Sequence, residues 1–158
     1  EHRTTITSQK QDIEDIDMLY DEKTLYCIYE KENYDKGPSK ICMRFSEDAG
    51  ITWSEEKILI DNGGDNEFSC ILPEYDGWRI YYSSDKENPG ASYNGASAYS
   101  AFFDADFEHI PELDAKVDMK DNQSVRLYEV KQTVEGLYLM YAQDYMTDKD
   151  FVLNYIRN

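Results

Sequence analysis

The sequence predicts an all-β fold of three antiparallel sheets in series. A segment recurs three times, turn residues separate short apolar runs, and helix-period apolar faces are scarce. The recurring segment is Met18–Tyr29 in the first copy, Pro73–Tyr82 in the second and Thr133–Tyr141 in the third. Each reads as a strand end, a short acidic or Gly turn, and a strand dense in Tyr, Leu and Ile. Leu25, Trp78 and Leu137 align, and so do Tyr29, Tyr82 and Tyr141. Asp76-Gly77 and Glu135-Gly136 supply hairpin chemistry, with Gly free to take positive φ.

The first copy is expected to hold strands at Ile13–Tyr20, Thr24–Glu30, Ser39–Ser46 and Thr52–Ile60. The second holds Phe68–Tyr75, Gly77–Ser83, Gly95–Phe103 and Phe107–Val117. The third holds Ser124–Lys131, Gly136–Gln143 and Phe151–Arg157, after which the sequence ends without a fourth strand. Four-stranded antiparallel units at this spacing are the pattern of propeller blades. Residues 1–158 therefore read as one propeller-type unit, with blade-like repeats over about 13–60, 68–117 and 124–157. The threonine-rich run over 3–8 suits an edge strand that closes the last blade.

Composition narrows the function. Sixteen Lys and Arg stand against thirty-three Asp and Glu, a formal net charge of −17 in 158 residues. Phosphate backbones and anionic bilayers would repel such a surface, so neither nucleic acid nor membrane is an expected partner. A 41% hydrophobic fraction with 14% aromatics supports a packed core rather than a disordered acidic tail. Cys27, Cys42 and Cys70 lack metal-site spacing, and His2 and His109 are the only histidines. No metal or cofactor is expected. Cys27 and Cys42 fall about opposite each other in the expected hairpin, leaving two readings: a cross-strand disulfide or buried thiols. Compartment stays open.

One motif is specific. Ser46-Glu47-Asp48-Ala49-Gly50-Ile51-Thr52-Trp53 matches the Asp-box, Ser-x-Asp-x-Gly-x-Thr-Trp, at all five fixed positions: Ser46, Asp48, Gly50, Thr52 and Trp53. On this motif and the repeats around it, the chain resembles the sialidase-like β-propellers with bacterial neuraminidase repeats. The resemblance implies half of a six-bladed ring, completed by a homodimer or by a longer parent chain. It also implies a structural role for the motif, on the face away from the ligand. Asp48 would accept N–H groups of its own turn and Gly50 would take positive φ.

Family sialidases hold the substrate carboxylate with three arginines and use a Tyr–Glu pair and an Asp. This chain has Arg3, Arg44, Arg79, Arg126 and Arg157, and no Arg-Ile-Pro motif. Arg79 and Arg126 lie on expected strands and could point inward, although pairing with nearby carboxylates is the simpler use for them. No catalytic residue is assigned; if the protein is an enzyme, it is a glycosidase. In the family the ligand face is built from the loops after the second and fourth strands of each blade. Here those loops carry Tyr34, Tyr93, Asp144 and Tyr145, together with Asp65 and Glu67 from the run Asp61–Glu67. Tyrosine rings stack on sugars while acids take hydroxyls; acidic loops also simply keep a protein soluble. The Asp61–Glu67 run has oxygen ligands and glycines suited to calcium, but its spacing does not fit the twelve-residue loop and no helix is expected beside it.

Two functions follow: a carbohydrate-binding or carbohydrate-processing propeller unit, or an acidic immunity- or inhibitor-type module that masks a basic partner.

Overall fold

The computed structural model describes Thr5 and residues 12–32, 38–91, 95–119, 122, 124–143 and 151–157. Among the described residues there are eleven strands: β1 Asp12–Asp21, β2 Thr24–Glu32, β3 Lys40–Ser46, β4 Lys57–Ile60, β5 Asn66–Glu74, β6 Gly77–Ser84, β7 Ser97–Asp104, β8 Ala115–Lys116, β9 Val125–Thr133, β10 Gly136–Gln143 and β11 Phe151–Arg157. They form three antiparallel sheets, β1-β2-β3-β4, β5-β6-β7-β8 and β9-β10-β11, each meandering in chain order. A 3-10 turn at Pro111–Leu113 is the sole helical element among the described residues. Nothing there is a helix long and apolar enough to cross a membrane.

The three repeats occupy equivalent places. Each first strand turns into its middle strand through two residues, at 22–23, 75–76 and 134–135. Gly77 is required by space, since a Cβ there would lie 2.0 Å from the Phe103 carbonyl oxygen; it opens β6 opposite Glu74, and the positive φ expected of it is found at Gly136 instead. Leu25, Trp78 and Leu137 each take the second place of a middle strand; Tyr29, Tyr82 and Tyr141 take the sixth. Middle strands have neighbours on both sides and bury side chains on both faces, so their apolar runs are continuous.

One apolar cluster joins the first sheet to the second, with Ile28, Ile41 and Met43 against Phe68, Ile80 and Phe103. Trp78 stacks on Phe107 at 5.5 Å, and Tyr26 lies 5.0 Å from the same ring. A second cluster joins sheets two and three through Cys70, Tyr81 and Ala98 against Leu127, Val130 and Leu139. The first strands run beside one another, with β5 touching both β1 and β9.

Several expectations need correction. The fourth strand of the first sheet begins at Lys57, not Thr52, because residues 46–54 form a side-chain-bonded turn that occupies the intervening backbone. In the second sheet the expected strand Phe107–Val117 shrinks to Ala115–Lys116 and one bridge between Phe103 and His109. There Asp104 takes the N–H groups of Asp106 and Glu108, Phe107 sits at φ +58°, and Pro111 starts the 3-10 turn. Cys27 pairs across with Arg44, and Cys42 with Tyr29, so the two thiols are diagonal rather than opposite. All three cysteines are free and buried. Of the expected closing strand over 3–8, only Thr5 is among the described residues, and it is not in a strand.

Candidate functional site

Each first strand carries an irregularity at the same height. In β1 the register jumps between Glu14 and Asp17, placing Asp15 and Ile16 against Tyr29. In β5 it jumps between Phe68 and Cys70, making Ser69 the extra residue; in β9 Tyr128 is extra. An inserted residue breaks the pleat and re-aims its side chain, which is why bulges gather beside binding sites. Here Asp15, Ile16, Ser69 and Tyr128 all line one cleft of about 290 Å³ between β1, β5 and β9, with Asp17, Glu129 and Lys131 on its walls. Asp15 adopts φ +42°, an uncommon angle for a residue other than glycine.

The bulges disturb backbone pairing, and the neighbouring sheet compensates. The Phe68 N–H donates to Glu30 Oε2 at 3.3 Å. The Leu127 N–H donates to Ser83 Oγ at 2.7 Å. Glu30 and Ser83 hold the seventh place of β2 and β6, and Phe68 and Leu127 each precede the extra residue. The same contact thus occurs at both junctions.

A polar cluster lies at this end of the cleft. The Arg126 guanidinium on β9 bonds Asp15 of the first sheet at 2.9 Å and also pairs with Glu67 of the second. Glu30 is fully buried, and carboxylate oxygens of Asp15, Glu30 and Glu67 come within 4.8 Å of one another. Burial first, then the charges of Glu67 and Asp15, push the Glu30 carboxyl up to about 9. Glu30 also belongs to a second acidic trio with Glu32 and Asp65. Asp17 accepts the Met18 N–H at 2.8 Å and faces the Ile71 N–H at 3.4 Å. Lys131 pairs with Glu129 at 3.0 Å.

Of the residues expected from sequence to meet a ligand, Asp65 and Glu67 are placed beside this cluster. Tyr34, Tyr93, Asp144 and Tyr145 lie outside the described residues. Arg79 does what the simpler reading expects: it holds Glu74 with two hydrogen bonds of 2.5 and 3.0 Å. Arg126 also pairs with carboxylates, but it does so across three sheets rather than at an edge. Sequence reasoning passed over Asp15, Glu30 and Tyr128. One signal was present: the apolar positions Ile13, Ile16, Met18 and Tyr20 change phase after Ile13, as an inserted residue requires.

The turn over Ser46–Trp53 closes on itself. Thr52 gives both its N–H and its hydroxyl to Asp48, at 2.8 and 2.7 Å, while Ser46 donates to Asp48 and accepts the Gly50 N–H, each at 2.8 Å. Gly50 sits at φ +84°. The Thr52 donors, with the Ser46 hydroxyl, hold the Asp48 carboxyl down to about 2. The turn joins β3 to β4, at the end of the sheet where β1 turns into β2; Asp65 lies at the opposite end, before β5. Tyr29 donates to Glu56 at 2.9 Å, and Lys31 pairs with the same carboxylate. No protein-family model matches the chain, and no curated protein sequence matches it.

Proposed function

We propose that this chain is a carbohydrate-binding unit of a sialidase-like propeller, half of a six-bladed ring completed by a second copy or by the rest of a longer chain. One observation carries the reading: three sheets in series each bulge toward a shared cleft lined by carboxylates, a hydroxyl and a tyrosine. Sugars suit such a cleft, since acids accept their hydroxyl protons and an aromatic ring covers their apolar face. The cleft charge narrows the ligand. Arg126 is engaged by Asp15 and Glu67, and Lys131 by Glu129, so a sialic acid carboxylate finds no unengaged guanidinium among these groups. A neutral or amino sugar fits better than an acidic one. Exposed Met18 and Tyr20 on one face of β1 supply apolar surface for a further blade.

A glycan array followed by saturation-transfer NMR tests this. Tyr128→Ala and Asp15→Asn should weaken binding of a neutral glycan without unfolding the protein. Absence of any glycan binding, or binding unchanged in both variants, counts against it. The second reading, an acidic module masking a basic partner, draws on the −17 charge together with exposed Ile16, Met18 and Tyr20 along β1. Its mark would be capture of a cationic protein that weakens steeply with salt.

A further inference from the structure

We propose that Glu30, Glu32 and Asp65 bind a calcium ion that ties the first sheet to the second. Glu30 and Glu32 stand at the end of β2, and Asp65 immediately precedes β5, so these ligands come from two sheets rather than from one loop. One carboxylate oxygen from each lies within 4.8 Å of the others. Two oxygens bound to one calcium ion at about 2.4 Å are at most about 4.8 Å apart, so the three can share a single ion.

The independent observation is Glu30 itself. Its residue is 0% exposed, and among the described residues Oε1 has no hydrogen-bond partner, while Oε2 takes the Phe68 N–H. A buried polar oxygen without a donor is costly, and in a pocket of carboxylates a cation is the partner that satisfies it. Among the described residues no side chain donates a hydrogen bond to Glu32 or Asp65. The neighbouring trio of Asp15, Glu30 and Glu67 is different, because Arg126 already bridges Asp15 and Glu67. Asp65 is held in place by its backbone: its N–H bonds Asp85 Oδ1 at 2.8 Å and its carbonyl faces the Asp85 N–H at 3.4 Å. Oxygen-only donors select a hard cation, and calcium tolerates irregular geometry completed by water where magnesium demands an octahedron. The site goes beyond the carbohydrate reading and does not depend on it.

The test is calorimetric titration of the chelator-dialysed full chain with calcium chloride, with melting temperature followed in parallel. The expected result is one calcium ion per chain and a higher melting temperature. Asp65→Asn and Glu30→Gln should each weaken binding by at least about tenfold. Asp76→Asn, in an exposed turn far from the cluster in sequence, should leave binding unchanged. If Glu30→Gln does not fold, the half-buried Asp65 decides alone. No heat and no thermal shift at roughly millimolar calcium overturns the proposal. Equal binding in Asp65→Asn and Asp76→Asn overturns it too, because the ion would then be held by surface charge in general.

Discussion

Replacing Ser83 with Ala should remove the hydroxyl that accepts the Leu127 N–H at the junction of the second and third sheets. Ser83 is 0% exposed and Leu127 is 1% exposed, and their hydrogen bond is 2.7 Å long. Water cannot take the place of the hydroxyl without opening the junction, so the amide is left buried and unpaired. That costs about 1–3 kcal/mol. For a chain of this size, 1 kcal/mol corresponds to roughly 2–4 °C of melting temperature, so a loss of about 2–12 °C is expected. Thermal denaturation gives the total, and amide hydrogen exchange locates it. Exchange at Leu127 should accelerate, while the Phe68 amide, capped by Glu30 at the other junction, keeps its protection. An unchanged melting temperature together with wild-type exchange at Leu127 would refute the reasoning.

In chelator, stability should fall as pH rises. The Glu30 carboxyl is raised to about 9, so the folded state holds a proton that the unfolded state releases near 4.5. The stabilisation is complete below the unfolded value and fades toward the folded one, with a slope of at most about 1.4 kcal/mol per pH unit. Glu30→Gln should flatten that slope in denaturant melts; an identical slope contradicts the assignment. Asp48 has the opposite sign. Its carboxyl is lowered to about 2, so the turn is at full strength above the unfolded value of 3.8 and weakens as pH falls through 2. Asp48→Ala should lower the melting temperature and leave glycan binding intact; lost binding with unchanged melting contradicts a structural role. Finally, if two copies complete the ring, deleting residues 1–9 should convert a dimer to monomer or aggregate. Light scattering that finds an intact-chain monomer, with stability unaffected by the deletion, rejects that assembly.

The strands were legible where turn chemistry and apolar periodicity agreed. Asp76-Gly77 and Glu135-Gly136 marked two of the hairpins one residue late, since the turns are 75–76 and 134–135 and each glycine opens a strand; Tyr29, Tyr82 and Tyr141 hold equivalent strand positions, as their alignment implied. The fourth strands were legible in place but not in extent, since both begin later than expected. Phe107 looks like a strand residue, yet its ring fills the space beside Trp78 from a turn at φ +58°. Ile51-Thr52-Trp53 likewise belongs to a turn whose polar groups are spent locally. The site was half visible. Asp65 and Glu67 stood out as acids near a loop, but Arg126 meets Asp15 over a separation of 111 residues, which no local pattern encodes. Glu30 was hidden because it opens the charged run Glu30-Lys31-Glu32 after Cys27-Ile28-Tyr29, and such a run reads as an exposed strand end rather than as a place for a fully buried carboxyl.

The contacts from Glu30 to Phe68 and from Ser83 to Leu127 give the stack of sheets a direction, because the middle strands β2 and β6 each offer a side-chain acceptor to the first strand of the following sheet. The corresponding seventh place of β10 is Ala142, which has only a methyl group. A sheet stacked beyond the third would bring its bulge to a position with nothing to receive its N–H. A joint there would lack the side-chain acceptor that the first two junctions share, and in a closed ring that would make it the weaker one. An assembly that needs to open, to admit a ligand or to exchange subunits, would part at that joint first.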